Sequence, residues 1–393
     1  MCISPRIKND ALAADPSAME RIDDLPFATA LLDGDVNSQL CGRMRNLRVE
    51  LRERHRAVEL GLALAEQIQI DTMNDRDSHA KSLRAGSCVA LDERLRTMMS
   101  DRVVSASSPA AGLAFVAVVA TQSVAELRAR HDSSPTATAA MGRLFAGAAL
   151  FGSALSPRER VTLQIAGDGA IRSLGSDCWL LDSQTLGARA YATYPQAELP
   201  PTKFGKADVA GLIGVGTLQV TKSYEIGQPY SGVVPLLTGE IAEDIAFYLS
   251  NSEQIPSVVA LGVLMGPEGV RAAGGLMAQV LPDASPATVE RLEARALRLA
   301  PVARSIAAGA DAWALLRMLA GEDELRSERD LALRFSCTCT LERVEIALYG
   351  LGVEALIEMA SAENGSEVFC DFCRERYLIE PTAIARMIAR RDA

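Results

Sequence analysis

The chain reads as an α+β protein: an antiparallel-sheet core domain with packed helices, a helical linker, and a small C-terminal four-cysteine zinc-binding domain. Three observations lead there. Between Met98 and Pro282, short apolar or alternating segments follow one another through glycine turns, a pattern that favours antiparallel pairing with helices laid on the sheet. Asp283 to Arg334 is a dense mixture of Arg, Glu and Ala with leucines at helical spacing and no strand candidate. Phe335 to Glu380 then carries half of the eight cysteines, as a Cys-x-Cys pair and a Cys-x-x-Cys pair thirty residues apart.

Residues 1–97 have a different character. Asp10 to Asn37 lacks periodicity, and from Leu40 a helical stripe runs through Met44, Leu47, Leu51, Val58 and Leu62, flanked by six arginines from Arg43 to Arg56. This N-terminal extension is expected to be poorly ordered or helical, and the other reading is a true start near Met98 or Met99. The charged face is better explained by solvation and pairs such as Glu50 with Arg54 than by a nucleic-acid partner.

In the core, "GLAFVAVVAT" reads as a buried strand and "SPTATAAMGRLFAGAALFGSALSP" as an apolar helix opened by Ser/Thr and closed by Pro157. "RVTLQIAGDGAI" turns Val161, Leu163 and Ile165 inward and meets a Gly-Asp-Gly hairpin turn. "GVGTLQVTKS" and "YSGVVPL" are further strands. "TGEIAEDIAFYLSNSEQIPS" is a helix with Ile241, Ile245 and Tyr248 or Leu249 on its apolar side, and "VVALGVLM" and "GGLMAQVLP" return to strand. In the linker, 283–334, Trp313, Leu315, Leu316, Met318 and Leu319 form an apolar face on an otherwise charged segment, so its order should depend on docking against a neighbour.

The C-terminal domain, 335–393, is too small for a generous core and needs a staple. Residues two apart on an extended chain point the same way, so Cys337 and Cys339 can present both sulfurs to one ion; Cys370 and Cys373 do the same from a knuckle between Val368-Phe369 and Tyr377-Leu378-Ile379, a short hairpin. Four thiolates suit tetrahedral zinc, and His55, His79 and His131 all fall outside the module. A closed structural zinc site, an Fe-S cluster and a thiol switch all remain compatible with this spacing. Extended residues i and i+2 have Cα atoms about 6.6 Å apart, near the limit for a disulfide, so metal-bound and oxidised forms should not share one fold. Arg334, Arg343, Arg374 and Arg376 are expected to favour the thiolate form. Cys2, Cys41, Cys88 and Cys178 read as isolated small side chains.

The net charge of −10 argues against a broad nucleic-acid surface. The N-terminus has no apolar leader core, Ala139 to Leu155 carries Arg143 and three glycines, and a cytoplasmic protein without a membrane partner is expected. Clustered cysteines in a reducing compartment bind metals or react.

Phe335, Cys337, Cys339, Glu342, Arg343, Val344, Val368, Cys370, Phe372, Cys373 and Tyr377, with upstream stretches such as "AMGRLFAGAALFGSAL", "QPYSGVVPL" and "IAEDIAFYLSNSEQIPSVVALGVL", resemble the 33-kDa heat-shock protein family of redox-regulated holdase chaperones. The resemblance covers about Met98 to the C-terminus. It implies one Zn2+ held by Cys337, Cys339, Cys370 and Cys373 when reduced, and disulfides Cys337-Cys339 and Cys370-Cys373 when oxidised. It further implies loss of zinc, melting of the linker, exposure of a surface for unfolded client proteins, and a homodimer in the oxidised state. A glycine often follows the second Cys-x-x-Cys cysteine in that family, and Arg374 stands there instead. No P-loop motif is present, which fits a chaperone without ATP, and no catalytic constellation stands out, so the protein is not expected to be an enzyme. The alternatives are a zinc-ribbon nucleic-acid or partner-binding protein and a thiol oxidoreductase, the latter without its usual βαβ context.

Overall fold

The computed structural model describes residues 3–4, 100–203, 205–362 and 365–391. The stripe from Leu40 and the rest of the N-terminal extension apart from Ile3–Ser4 lie outside them, as do Cys2, Cys41 and Cys88.

A ten-stranded sheet carries the core. In chain order its strands are β2 (Arg102–Ser108), β3 (Leu113–Val119), β4 (Arg160–Gly167), β5 (Ser173–Asp182), β6 (Thr185–Ala192), β7 (Gly216–Ser223), β8 (Tyr230–Pro235), β9 (Ser257–Gly266), β10 (Gly269–Val280) and β11 (Arg326–Phe335). Their spatial order is β8-β7-β4-β5-β6-β11-β2-β3-β10-β9. Every pairing is antiparallel except β6 with β11. The Gly-Asp-Gly turn joins β4 to β5, as the sequence predicts. Strand β2 was not anticipated, and neither were β6 and, beyond its hairpin turn, β5. The latter two are buried on both faces over most of their length, so neither shows the alternation that marks a half-exposed strand.

Helix α1 (Thr121–His131) lacks a capping side chain of its own; the Asp101 carboxylate accepts the N–H groups of Gln122 and Ser123 at 3.0 and 2.6 Å instead. Helix α2 (Pro135–Gly152) starts on Ser134, whose hydroxyl accepts the Ala137 N–H, with proline in the first turn. From Thr136 onward every residue of α2 is buried, which explains its apolar composition on all sides. It ends at Gly152 rather than running to Pro157. Its single charge, Arg143, meets Glu240 at 2.6 Å. Gly147 lets the helix close on α4 (Ala242–Ser252): a Cβ there would stand 2.6 Å from Ile245 Cδ1. A five-residue helix, α3 (Val209–Ile213), lies between β6 and β7 in sequence.

Helices α5 (Pro286–Ala296), α6 (Val302–Ala307) and α7 (Ala312–Ala320) occupy the linker. Leu292, Val302, Leu315, Leu316 and Leu319 form a second cluster with Val104, Leu113, Phe115 and Leu276 of the sheet. Only Thr288 and Leu292 of α5 are buried, so this helix depends on its neighbours for order, as expected of it. The expectation of a strand-free linker is corrected by β11, whose last ten residues before the cysteines lie inside the sheet. Leu331, Leu333 and Phe335 turn into the core, Asp330 and Arg334 lie on the other face, and Arg329 reaches the Ser153 and Leu155 carbonyls; the charge density hid the period-2 pattern.

Beyond β11 come α8 (Leu341–Leu348), α9 (Val353–Ala360), the hairpin β12 (Ser366–Cys370) and β13 (Arg376–Ile379), and α10 (Pro381–Arg391). β12 also pairs with Ile3–Ser4, here β1. Val344, Leu348, Leu356, Met359, Val368, Ile379, Ile384 and Met387 form a separate small core.

Candidate metal centre

β11 delivers Cys337 and Cys339 to one side of a site, and the β12–β13 knuckle delivers Cys370 and Cys373 to the other. The four sulfurs all lie within 4.8 Å of one another, the one group of this kind among the described residues. The close approaches run between motifs: Cys337 to Cys370 at 3.8 Å and Cys339 to Cys373 at 3.3 Å. Tetrahedral Zn–S bonds of about 2.3 Å place sulfurs about 3.8 Å apart, so the array fits a tetrahedral ion. The all-sulfur donor set is that of soft or borderline metals.

The knuckle closes through Arg374 N–H to the Cys370 carbonyl at 2.8 Å, and Cys370 N–H to the Glu375 carbonyl at 3.0 Å. Arg374 has φ of 60°, in the left-handed region that glycine enters without cost. The sequence departure noted at this position is therefore a strained one. Arg374→Gly is expected to stabilise the metal-bound module by about 1 kcal/mol, the left-handed penalty less glycine's extra unfolded-state entropy. A higher chelator concentration for half-release of bound Zn2+ would register it; an unchanged or lower midpoint would contradict it.

Arginine does reach a sulfur, but not one of the four expected. Arg343 Nη1 donates to the Thr338 carbonyl at 2.8 Å, Arg376 meets Glu367 at 3.0 Å, Arg374 lies near Asp371 at 3.9 Å, and Arg334 is exposed at the end of β11. Arg189 of β6 instead donates Nη1–H to Cys337 Sγ at 3.2 Å, while its Nη2 and Nε hold Asp177 Oδ2 of β5 at 2.7 and 3.0 Å. The Cys370 and Cys373 thiols, with Arg189, hold Cys337 far below the ordinary thiol range. Donation toward Cys337 pushes Cys370 up to about 11 and raises Cys373 as well. Tyr377 donates its hydroxyl to Cys339 Sγ at 3.1 Å. Cys178, fully buried in β5, is pushed up to about 12 by desolvation and is an inert core side chain, as its isolation suggests.

Phe372, between the knuckle cysteines, is the module's plug in the core. The Arg189 guanidinium lies 3.7 Å from its ring centroid, and the Tyr191 ring meets it edge-on at 4.9 Å. His131 at the end of α1 faces the Phe372 carbonyl through Nε2 at 2.9 Å, so that nitrogen carries the proton. Burial lowers His131 to about 4, leaving it neutral near pH 7 and a donor to the backbone rather than a metal ligand. Arg130 adds a contact from Nη1 to the Cys373 carbonyl at 3.4 Å. Next to this seam a cleft of about 370 Å3, lined by Glu126, Arg130, Cys337, Cys339, Cys373 and Tyr377, leads from solvent to the sulfurs.

Asp177, Arg189 and the docking role of His131 were not foreseen. The signal was present: a lone Asp in "LGSDCWLL" and a lone Arg in "GARAYA" are charges inside apolar strands, and such charges have to be paired.

Residues 101–380 match the family model described as Hsp33 protein. The chain belongs to the Hsp33 family. The 33 kDa chaperonin of Nostoc punctiforme is 40% identical over 297 residues, a match spanning 74% of this chain and 97% of that one. The 33 kDa chaperonin of Acaryochloris marina is 39% identical over 295 residues, again covering 74% and 97%. Among solved structures, the 33 kDa chaperonin (HSP33) of Thermotoga maritima superposes with a TM-score of 0.67 at 32% identity, covering 74% of this chain and 99% of that chain. The Hsp33 match takes in the sheet, the linker and the cysteine module together. In this Hsp33 chain the four cysteines are positioned to bind a metal ion, and among the described residues no helix is long and apolar enough to cross a membrane.

Proposed function

We propose that this protein is a redox-regulated, ATP-independent holdase chaperone of the cytoplasm, with one zinc held by Cys337, Cys339, Cys370 and Cys373 in its reduced state. The carrying observation is the four-sulfur array between the end of β11 and the Phe372 knuckle, in a chain of the Hsp33 family. A bound Zn2+ would supply a cross-link among these two segments that the module's eight-residue core does not replace.

The chain's own residues then perform the switch. As thiolates, Cys337 with Cys339, and Cys370 with Cys373, each give two electrons to one molecule of peroxide, which takes up two protons from solvent. Its O–O bond breaks to give two waters as the S–S bond forms. The donor set is lost, and the S–S distance of about 2.05 Å demanded by each bridge pulls both turns away from their present geometry. Phe372 leaves Arg189 and Tyr191, the core of the module comes apart, and the docking on which α5–α7 depend weakens. Melting of these helices uncovers Val104, Leu113, Phe115 and Leu276, an apolar surface for unfolded clients. The domains of this device are the core at 98–282, the linker at 283–334 and the redox domain at 335–393, with the end of the linker integrated in the sheet. The oxidised form is a homodimer, and nucleic acid is not a partner, in keeping with the net charge of −10.

Treating zinc-loaded protein with peroxide or hypochlorous acid at mild heat should release zinc, lower far-UV helicity and suppress aggregation of an unfolding client, all together. Zinc that stays bound, or leaves without a gain in client holding, would refute the switch.

A further inference from the structure

β11 is poorly suited to the middle of a sheet. Five of its ten residues, Arg326, Glu328, Arg329, Asp330 and Arg334, are charged, whereas strands inside large sheets run apolar. Its pairing is also divided. It meets β2 from Arg326 to Ala332, with a register break between Ser327 and Arg329, and meets β6 only from Ala332 to Phe335. Ala332 alone is in register with both neighbours. In the strand order nothing else joins β6 to β2, so β11 splints a five-stranded half (β8-β7-β4-β5-β6) to a four-stranded half (β2-β3-β10-β9).

The slot beneath it has a simple chemistry. Leu331, Leu333 and Phe335 are 3%, 5% and 9% exposed and fill three sites two residues apart in the main core; Arg329, on the same side, donates to the Ser153 and Leu155 carbonyls, and the other side carries Asp330, Ala332 and Arg334. Both ends of β11 are tied to parts that the switch loosens. Cys337 follows Phe335 by two residues, and α7 ends six residues before Arg326.

We propose that the slot between β6 and β2 adds a second client-binding site to the apolar face bared by the melted linker, and that β11 is its resident occupant, replaced after oxidation by an extended client segment with apolar side chains at three alternate positions. The proposal rests on the redox reading above and names the partner's form. Main-chain hydrogen bonding to both slot edges is indifferent to sequence, which suits a chaperone of many clients; the three apolar sites supply the only selection. Exchange removes three buried apolar side chains and returns three, so it is nearly balanced, while the released β11 carries five charges and remains soluble in water. With β11 out, two strand edges lie open, and open edges recruit extended chain.

The test staples β11 in place. Arg102 and Ala332 are antiparallel register partners, whose Cα atoms at about 4.5 to 5.5 Å fall within the disulfide range of about 4.4 to 6.8 Å. The full-length Arg102→Cys/Ala332→Cys protein, with its bridge verified by mass spectrometry, should still release zinc and lose helicity on oxidation. Its affinity for an unfolded client should fall about tenfold or more, the loss of an added-strand ladder. A labelled peptide of residues 326–335 should bind oxidised parent protein, and bind neither reduced parent nor oxidised stapled protein. A stapled protein that holds client as well as the parent overturns the slot and leaves the redox switch standing. Stapled protein that holds client but fails to dimerise by sedimentation also overturns it, because the occupant is then β11 of a second copy. Equal binding of a scrambled peptide without the alternation overturns it too. An oxidised parent that neither releases zinc nor holds client refutes the switch itself, a separable result.

Discussion

Withdrawing Zn2+ from the reduced, zinc-loaded protein with a chelator will unfold residues 335–391 and leave most of the ten-stranded sheet folded. Structural zinc in small domains contributes about 10 to 16 kcal/mol of apparent binding free energy at neutral pH, and that binding energy is folding energy. The module has little to set against its loss: eight buried side chains spread over three helices and a hairpin of five- and four-residue strands. The main core, by contrast, surrounds the fully buried length of α2 and does not include those eight side chains. Hydrogen exchange read by mass spectrometry should show amides of β12, β13 and α8–α10 exchanging without protection, while β4, β5 and β7 stay protected. Retained protection across 366–379 in metal-free protein would mean the module holds itself together and cannot serve as a redox release.

The second large effect is expected at Arg189. Arg189 and Asp177 are 7% and 6% exposed, so Arg189→Met strands a buried carboxylate. Breaking such a pair from one side costs about 3 to 5 kcal/mol. The lower end applies because Arg160 Nη1 at 3.1 Å and the Thr162 hydroxyl at 2.8 Å still reach Asp177. The same change removes the cation over Phe372 and the donor to Cys337. Urea unfolding should show the loss of stability. The knuckle amides of the zinc-loaded variant should exchange faster than in the parent. Adding Asp177→Leu should recover much of the global stability, since removing both charges leaves none uncompensated, but should not restore protection at the knuckle. If the double variant restores both, Arg189 serves the core alone and has no part in docking the module.

How these features could be read from residues alone differs between the two halves of the site. The four cysteines announced themselves, because a Cys-x-Cys and a Cys-x-x-Cys are local patterns whose geometry follows from backbone period and turn. Arg374 could be doubted for the same reason: a position after a knuckle is local, and its φ is 60°. Helix α2 and the alternating strand β4 were legible because one is apolar throughout and the other inward at every second residue. β5 and β6 were not, since burial on both faces erases alternation, and their Asp and Arg looked like interruptions until placed side by side.

Sequence by itself determined the class of the protein and singled out the four cysteines that stand positioned to bind a metal ion, both of which depend on spacing along the chain. Tertiary structure decided the rest. It placed Arg189, 148 residues away in sequence, on Cys337, and seated Phe372 against α1 and β6. It also moved the charged end of the linker into the sheet as β11. These are pairings between segments far apart in the chain, selected by which buried charges and strand edges could be satisfied together, and local periodicity carries no record of them.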